Sequence, residues 1–149
     1  MVRDVNLKLA DAATPITTTT ALTAKDTEGG YRADVRLFLG TITDADETMT
    51  LTVEISTDGG STYFQAAVFP GLVATDDALE IARPVYVPVP DPTQTVTKVR
   101  LKASAIAGTT PSFPVTAFLE PLVSIAVPAG DETGVAMGTN ARRGLACLT

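Results

Sequence analysis

The chain has 149 residues, of which 45% are hydrophobic and 19% are charged, so its composition excludes intrinsic disorder and predicts one domain with a hydrophobic core. The absence of histidine and the presence of one cysteine, Cys147, exclude histidine-dependent catalytic triads, histidine-ligated zinc and an intrachain disulfide. The net charge of −6 argues against nucleic acid as a partner, and the apolar runs are too short to span a membrane.

Three extended segments are predicted in the first part of the chain. Residues 5–9 alternate between apolar and polar types and predict a short strand. Residues 16–24 contain four consecutive threonines, whose β-branched side chains favour an extended backbone, and predict an edge strand or an extended arm. Residues 31–39 alternate and predict a strand, which we expect to pair with the hairpin that follows it and to form the centre of the fold.

A complete β-hairpin is predicted over residues 49–69, where an alternating strand, a polar turn with two adjacent glycines and a returning strand follow one another. The turn STDGGSTY matches the Asp-box pattern and resembles the hairpin turns of sialidase-type propeller blades. One copy cannot form a propeller, so we interpret the turn as a structural device whose carboxylate accepts backbone donors and whose aromatic ring packs beneath it. The residues of the pattern are Ser56, Asp58, Gly60, Thr62 and Tyr63.

Three further strands are predicted after the hairpin. Residues 79–89 alternate but include Pro84, Pro88 and Pro90, which cannot donate to a sheet, so this strand is expected at a sheet edge. Residues 95–103 combine an apolar face with a basic face, and we interpret the basic face as solvated rather than as a site for an anionic ligand. Residues 113–122 predict the last strand, and residues 123–127 are candidates to extend it.

Residues 128–149 break this pattern and predict a C-terminal arm beside a β-sandwich domain of residues 1–127. Glycine recurs in the arm and alternation stops, yet apolar side chains persist. Because a free tail is normally more polar, the arm either packs back on its own domain or orders on a neighbouring subunit, and we expect the neighbour. Its two arginines would pair there with carboxylates, and a solvated position is the alternative for them. The residues assigned to assembly are Val135, Met137, Arg142, Arg143, Leu145 and Leu148.

Two acidic turns are candidate calcium sites, because carboxylates are the ligands that calcium prefers. They comprise Asp44, Asp46 and Glu47 in one turn and Asp76, Asp77 and Glu80 in the other. Neither has the glycine and the distal glutamate of an EF-hand loop, so ordinary turn acidity is the interpretation that we favour. The sequence therefore predicts no metal, no cofactor and no catalytic residue.

The fold class that these elements predict is all-β: an antiparallel β-sandwich of about eight strands without an amphipathic helix. Jelly-roll and immunoglobulin-like connectivities both fit such a sandwich. The chain lacks the Cys-Trp-Cys pattern of immunoglobulin domains, so we expect a jelly roll.

Four segments resemble the cement or decoration proteins of tailed-phage capsids: YRADVRLFLG, MTLTVEISTDGGSTYFQ, TKVRLKASAIAG and FPVTAFLEPL. With the threonine-rich opening they extend the resemblance over about residues 16–122, and the arm is not covered by it. The resemblance implies a small β-sandwich, often a trimer, that is made in the host cytoplasm and binds the outside of the capsid. It further implies that the protein clamps neighbouring subunits of the major capsid protein and has no catalytic activity.

The sequence is also compatible with two other classes of function. A carbohydrate-binding or tail-associated adhesion module would use the same sandwich, because fold does not decide function. An enzyme that uses only aspartate and glutamate ranks third, since such a pair needs a cleft and a raised pKa.

Overall fold

A computed structural model describes residues 7–73 and 79–122 of the chain. The regular elements of these residues are all strands, as the alternating sequence predicts, and they form two antiparallel sheets of four strands each. The predicted β-sandwich is therefore confirmed. The strands are β1 (Lys8–Ala10), β2 (Lys25–Thr27), β3 (Tyr31–Leu39), β4 (Thr48–Ser56), β5 (Phe64–Val73), β6 (Glu80–Val87), β7 (Thr97–Ala107) and β8 (Val115–Pro121).

The front sheet has the strand order β1-β8-β3-β6, and the back sheet has the order β2-β7-β4-β5. Alternate residues of both sheets point inward and form one hydrophobic core, because a strand places successive side chains on opposite faces. The largest of these fully buried side chains are Leu37, Met49, Leu51, Ile55, Phe69, Leu101, Phe113 and Leu119.

The expected pairing of β3 with the hairpin is wrong. Strand β3 pairs with β6 and β8 in the front sheet, whereas β4 pairs with β5 and β7 in the back sheet. The two strands instead lie in opposite sheets, and inward side chains such as Val35 and Val53 are fully buried in the shared core. Alternation tells which face of a strand is buried, but it does not tell which strands are its hydrogen-bonded neighbours.

The threonine-rich segment crosses from the front sheet to the back sheet. Ile16 forms an isolated bridge with Phe113, just before β8, and Ala21 forms a second bridge with Lys102 of β7. The N–H of Leu22 donates to the carbonyl oxygen of Leu101 at 2.8 Å, which leads the chain into β2. The segment is therefore extended, as predicted, but it is a crossing connection with isolated bridges rather than a regular strand.

The edges of both sheets are short or carry proline. Strands β1 and β2 have three residues each, and β5 contains Pro70. Strand β6 lies at the edge of the front sheet and exposes Pro84, which confirms the edge position predicted for the proline-rich strand. This strand ends at Val87, two residues before the end of the predicted segment, and Val89 beyond it is 63% exposed. Short and proline-bearing edges disfavour open-ended sheet addition by other chains.

The predicted C-terminal arm lies outside the described residues, as do the extension at residues 123–127 and the domain boundary at residue 128. The six residues assigned to assembly are all in this part of the chain, so their role stays a prediction.

Candidate interaction surface

The outward side of the front sheet, here called the front face, combines a network of paired charges with exposed apolar side chains. Inward and outward positions alternate along β3, and Arg32, Asp34 and Arg36 point outward. The strand register places Tyr86 beside Arg32 and Pro84 beside Asp34 on β6. On the other side of β3, Glu120 of β8 lies beside Asp34. The front face is thus assembled from three strands that are far apart in the sequence.

A charge network centred on Arg36 fixes the middle of the front face. The Arg36 Nε lies 2.8 Å from Glu120 Oε1, and its Nη1 lies 2.7 Å from Glu80 Oε2. The Asp34 carboxylate lies 4.0 Å from Nη2. The hydrogen bond to Glu120 and, to a smaller extent, the hydrogen bond to Glu80 raise the pKa of the Arg36 guanidinium. One guanidinium is therefore shared among three carboxylates, and Glu120 is only 5% exposed.

A groove lies at one end of the front face, where β5 of the back sheet contributes Ala66 to its lining, and we call it the Tyr86 groove. Its volume is about 390 Å³, and its lining includes Arg32, Ala66, Pro84, Tyr86 and Leu122. The N–H of Leu122 donates to the carbonyl oxygen of Arg32 at 2.9 Å, and Arg32 pairs in register with Tyr86. These three residues therefore form one row across the sheet. Tyr86 and Leu122 are large apolar side chains that are 59% and 49% exposed.

The outward side of the back sheet pairs Lys98 and Arg100 with carboxylates of the same sheet. The Lys98 Nζ lies 2.7 Å from Asp26 Oδ1, and this hydrogen bond raises the pKa of the Lys98 ammonium. The Arg100 Nη2 lies 2.8 Å from Glu54, and its guanidinium stacks on the Tyr63 ring with 3.6 Å to the ring centre. These contacts favour the interpretation that the basic side of β7 is a solvated sheet face rather than a site for an anionic ligand.

The Asp-box turn between β4 and β5 is held together by the hydrogen bonds of three side chains. The Ser56 hydroxyl donates to Asp58 Oδ1 at 2.7 Å and accepts the N–H of Gly60 at 2.9 Å. The N–H of Thr62 donates to Asp58 Oδ1 at 2.9 Å, and the Thr62 hydroxyl donates to Asp58 Oδ2. Gly60 has a φ of 93°, a left-handed conformation that favours glycine.

The chemistry of this turn is that of a hairpin clamp. Hydrogen bonds from the Thr62 hydroxyl, the Thr62 N–H and the Ser56 hydroxyl lower the pKa of Asp58 well below its usual range. Both carboxylate oxygens of Asp58 are engaged within the turn. The five residues predicted from the pattern are therefore brought together, and their contacts stabilise the turn and the ring stack beside it.

The acidic turn before β4 clamps a second loop. Asp46 Oδ2 accepts the hydroxyl of Thr109 at 2.8 Å, and Asp44 Oδ2 accepts the hydroxyl of Thr110 at 2.6 Å. Glu47 Oε1 accepts the N–H of Ser112 at 2.8 Å. Glu47 is fully buried, and its Oε2 has no hydrogen-bond partner within the described residues. The turn thus ties the β3–β4 connection to the β7–β8 connection.

Neither acidic turn is arranged as a metal site in the part of the chain that the structure describes. No group of three or more acidic or cysteine side chains there is placed to hold a metal ion. Asp76 and Asp77 lie outside the described residues, whereas Glu80 lies on the front face and pairs with Arg36.

Sequence reasoning did not single out Arg36, Tyr86 or Leu122. Alternation along β3 was a signal for the outward direction of Arg36, since every second residue there points to solvent. The neighbours of Arg36 on β6 and β8 depend on strand register, which alternation alone does not specify.

A comparison with protein-family models finds no match for this chain, and a comparison with curated proteins finds none either. The described residues contain no helix of the length and apolarity that a membrane span needs. A functional assignment therefore depends on the fold and on the surfaces described above.

Proposed function

We propose that the protein is a structural virion component that binds the outside of a phage capsid and stabilises it by bridging subunits of the major capsid protein. It acts as a homo-oligomer, which we expect to be a trimer, and it has no catalytic activity. The sequence segments that resemble capsid decoration proteins support this proposal, because all of them fall within the sandwich.

The observation that carries the proposal is the difference between the two outer faces of the sandwich. The back face pairs Lys98 and Arg100 with its own carboxylates. The front face exposes Tyr86 and Leu122 beside the fixed charges around Arg36. Exposed apolar side chains next to a rigid polar network are typical of a protein-binding surface.

The connectivity of the strands supports a jelly roll, the sandwich type that we expected. Successive strands alternate between the front and back sheets except at the β4–β5 hairpin. Eight strands in two such four-stranded sheets are the arrangement of jelly rolls, a group that includes viral capsid domains and lectins. Because lectins share this fold, the connectivity supports a capsid role without deciding it.

Co-sedimentation with capsid shells tests the proposal. The target is a DNA-free shell of the virus that encodes the chain, stripped of its own decoration proteins. We expect saturable binding by the full chain and loss of binding when residues 128–149 are deleted, with an unchanged β-sheet signal in circular dichroism. Tyr86→Glu on the front face should also weaken binding, whereas Lys102→Glu on the back face should not.

Two results would contradict this proposal or a part of it. A full chain that stays in the supernatant, is monomeric by light scattering and binds a soluble glycan would replace the capsid proposal with a carbohydrate-binding module. A variant lacking residues 128–149 that decorates shells as well as the full chain would remove the arm from the proposal.

A further inference from the structure

The Tyr86 groove is open among the described residues. Tyr86 is 59% exposed and Leu122 is 49% exposed, although the groove between them has apolar walls that include Ala66 and Pro84. A groove of about 390 Å³ has room for two or three side chains. When an apolar partner covers exposed apolar side chains that share one groove, the free energy of the system falls.

The chain itself continues from the rim of this groove. Leu122, which lines the groove, is followed by 27 residues, 123–149, that lie outside the described part of the chain. Residues 123–130 have an extended reach of about 28 Å, enough to carry the residues after them to another molecule.

One part of that segment matches the groove in charge and in apolar spacing. Asp131 and Glu132 are acidic, and Val135 and Met137 follow them two residues apart. Residues two apart point to the same side of an extended chain, so the last two would enter an apolar groove together. The groove presents Arg32, for which no ion pair is present within residues 7–73 and 79–122, and Glu120, two positions before Leu122, is engaged by Arg36.

We propose that the Tyr86 groove of one copy binds residues 131–137 from the C-terminal arm of a second copy. Val135 and Met137 cover Tyr86 and Leu122, and Asp131 and Glu132 pair with Arg32. That the arm comes from a second copy rests on the proposed homo-oligomer; that the groove binds the arm rests on the complementarity of the two segments. Head-to-tail donation of an arm from each copy to the next closes a ring, as a trimer requires.

Photo-crosslinking in the full chain tests this proposal. Tyr86 is replaced by p-benzoyl-phenylalanine, and chains of natural isotope content are mixed with ¹⁵N-labelled chains before irradiation. We expect cross-linked peptides that join position 86 to residues 131–137, with the two halves carrying different isotopes. The same probe at Val89, which is 63% exposed and outside the groove lining, is the matched control and should not capture this segment.

Each other outcome overturns a defined part of the proposal. Cross-links to residues 131–137 only within single chains would overturn the exchange between copies, and the absence of cross-links to this segment would overturn the groove as its site. Arg32→Glu should lower the yield several-fold, and Asp131→Lys combined with Glu132→Lys should restore it; an unchanged yield would contradict the ion pair. Because no shell is present, failure here is distinct from failure of capsid binding.

Discussion

Asp58 shows how a single carboxylate organises a turn that the sequence already marks. It accepts hydrogen bonds from Ser56 and from both the hydroxyl and the N–H of Thr62, and these bonds favour its charged form. The same residues place Tyr63 under the Arg100 guanidinium. A turn of eight residues therefore determines part of the surface of the back sheet.

The lowered pKa of Asp58 has a consequence for stability at acid pH. A carboxylate whose pKa is lower in the folded state stabilises the protein above the pKa of the unfolded chain, near 3.8, and this stabilisation is lost as pH falls toward the folded value. We expect Asp58→Asn to lower the urea midpoint at pH 7 and to lower it by less at pH 2.5, where part of this stabilisation is already lost. An equal loss at both pH values would contradict the role of the charged carboxylate.

Gly29 occupies a turn that no other residue fits. Its φ is 78°, and a Cβ atom there would lie 2.1 Å from the backbone oxygen of Pro88. We expect Gly29→Ala to destabilise the fold by about 2 to 4 kcal/mol, since both the left-handed φ and the backbone contact oppose the substitution. Gly71→Ala is the matched control: its φ is 57°, but nothing lies within 4 Å, so it should cost only about 1 kcal/mol. Equal urea-unfolding free energies for the two variants would contradict this account.

At the scale of elements, the sequence predicts strands better than it predicts their neighbours. The alternating residues of β3, β4, β7 and β8 were identified because each of these strands buries one face. The hydrogen-bonded neighbours of β3 could not be identified in this way, because Val35 would be buried equally well in a central strand of either sheet. The surface around Arg36 was missed for the same reason: it exists only once β6 and β8 lie on either side of β3.

Local motifs were easier to predict than long-range clamps. The Asp-box turn lies within eight residues, so its hydrogen bonds depend on local sequence alone. The sequence places Glu47 in a polar turn. In the structure it is fully buried and accepts a hydrogen bond from the N–H of Ser112, 65 positions further along the chain. Burial of a charged side chain by a distant loop leaves no local pattern.

The Glu47 clamp predicts two opposite effects of substitution. Glu47→Ala should destabilise the protein by about 2 to 3 kcal/mol, because it leaves the Ser112 N–H without its acceptor and removes buried volume. Glu47→Gln keeps an acceptor for Ser112 and replaces a carboxylate whose second oxygen has no partner in the described part of the chain, so it should leave stability equal or higher. Urea unfolding of both variants measures this, and a Gln variant as unstable as the Ala variant would contradict it.

At the scale of the whole molecule, the sandwich has two outer faces of different character. The back face matches Asp26 and Glu54 with cations of its own strand β7, whereas the front face leaves Tyr86 and Leu122 exposed beside the Arg36 network. A capsid subunit bound to the front face would meet charges that are already fixed in position, and the arm of a second copy would cover the apolar side chains beside them. Many copies on one shell would add their modest interfaces together.

The disruption temperature of DNA-free capsid shells is the measurement that tests this account most directly. Shells are heated with and without a saturating amount of the full chain, and their disassembly is followed by light scattering. The account predicts a higher disruption temperature with the wild-type chain, little change with Tyr86→Glu, and a wild-type response with Lys102→Glu. Wild-type protein that binds the shells but leaves their disruption temperature unchanged would contradict the stabilising function.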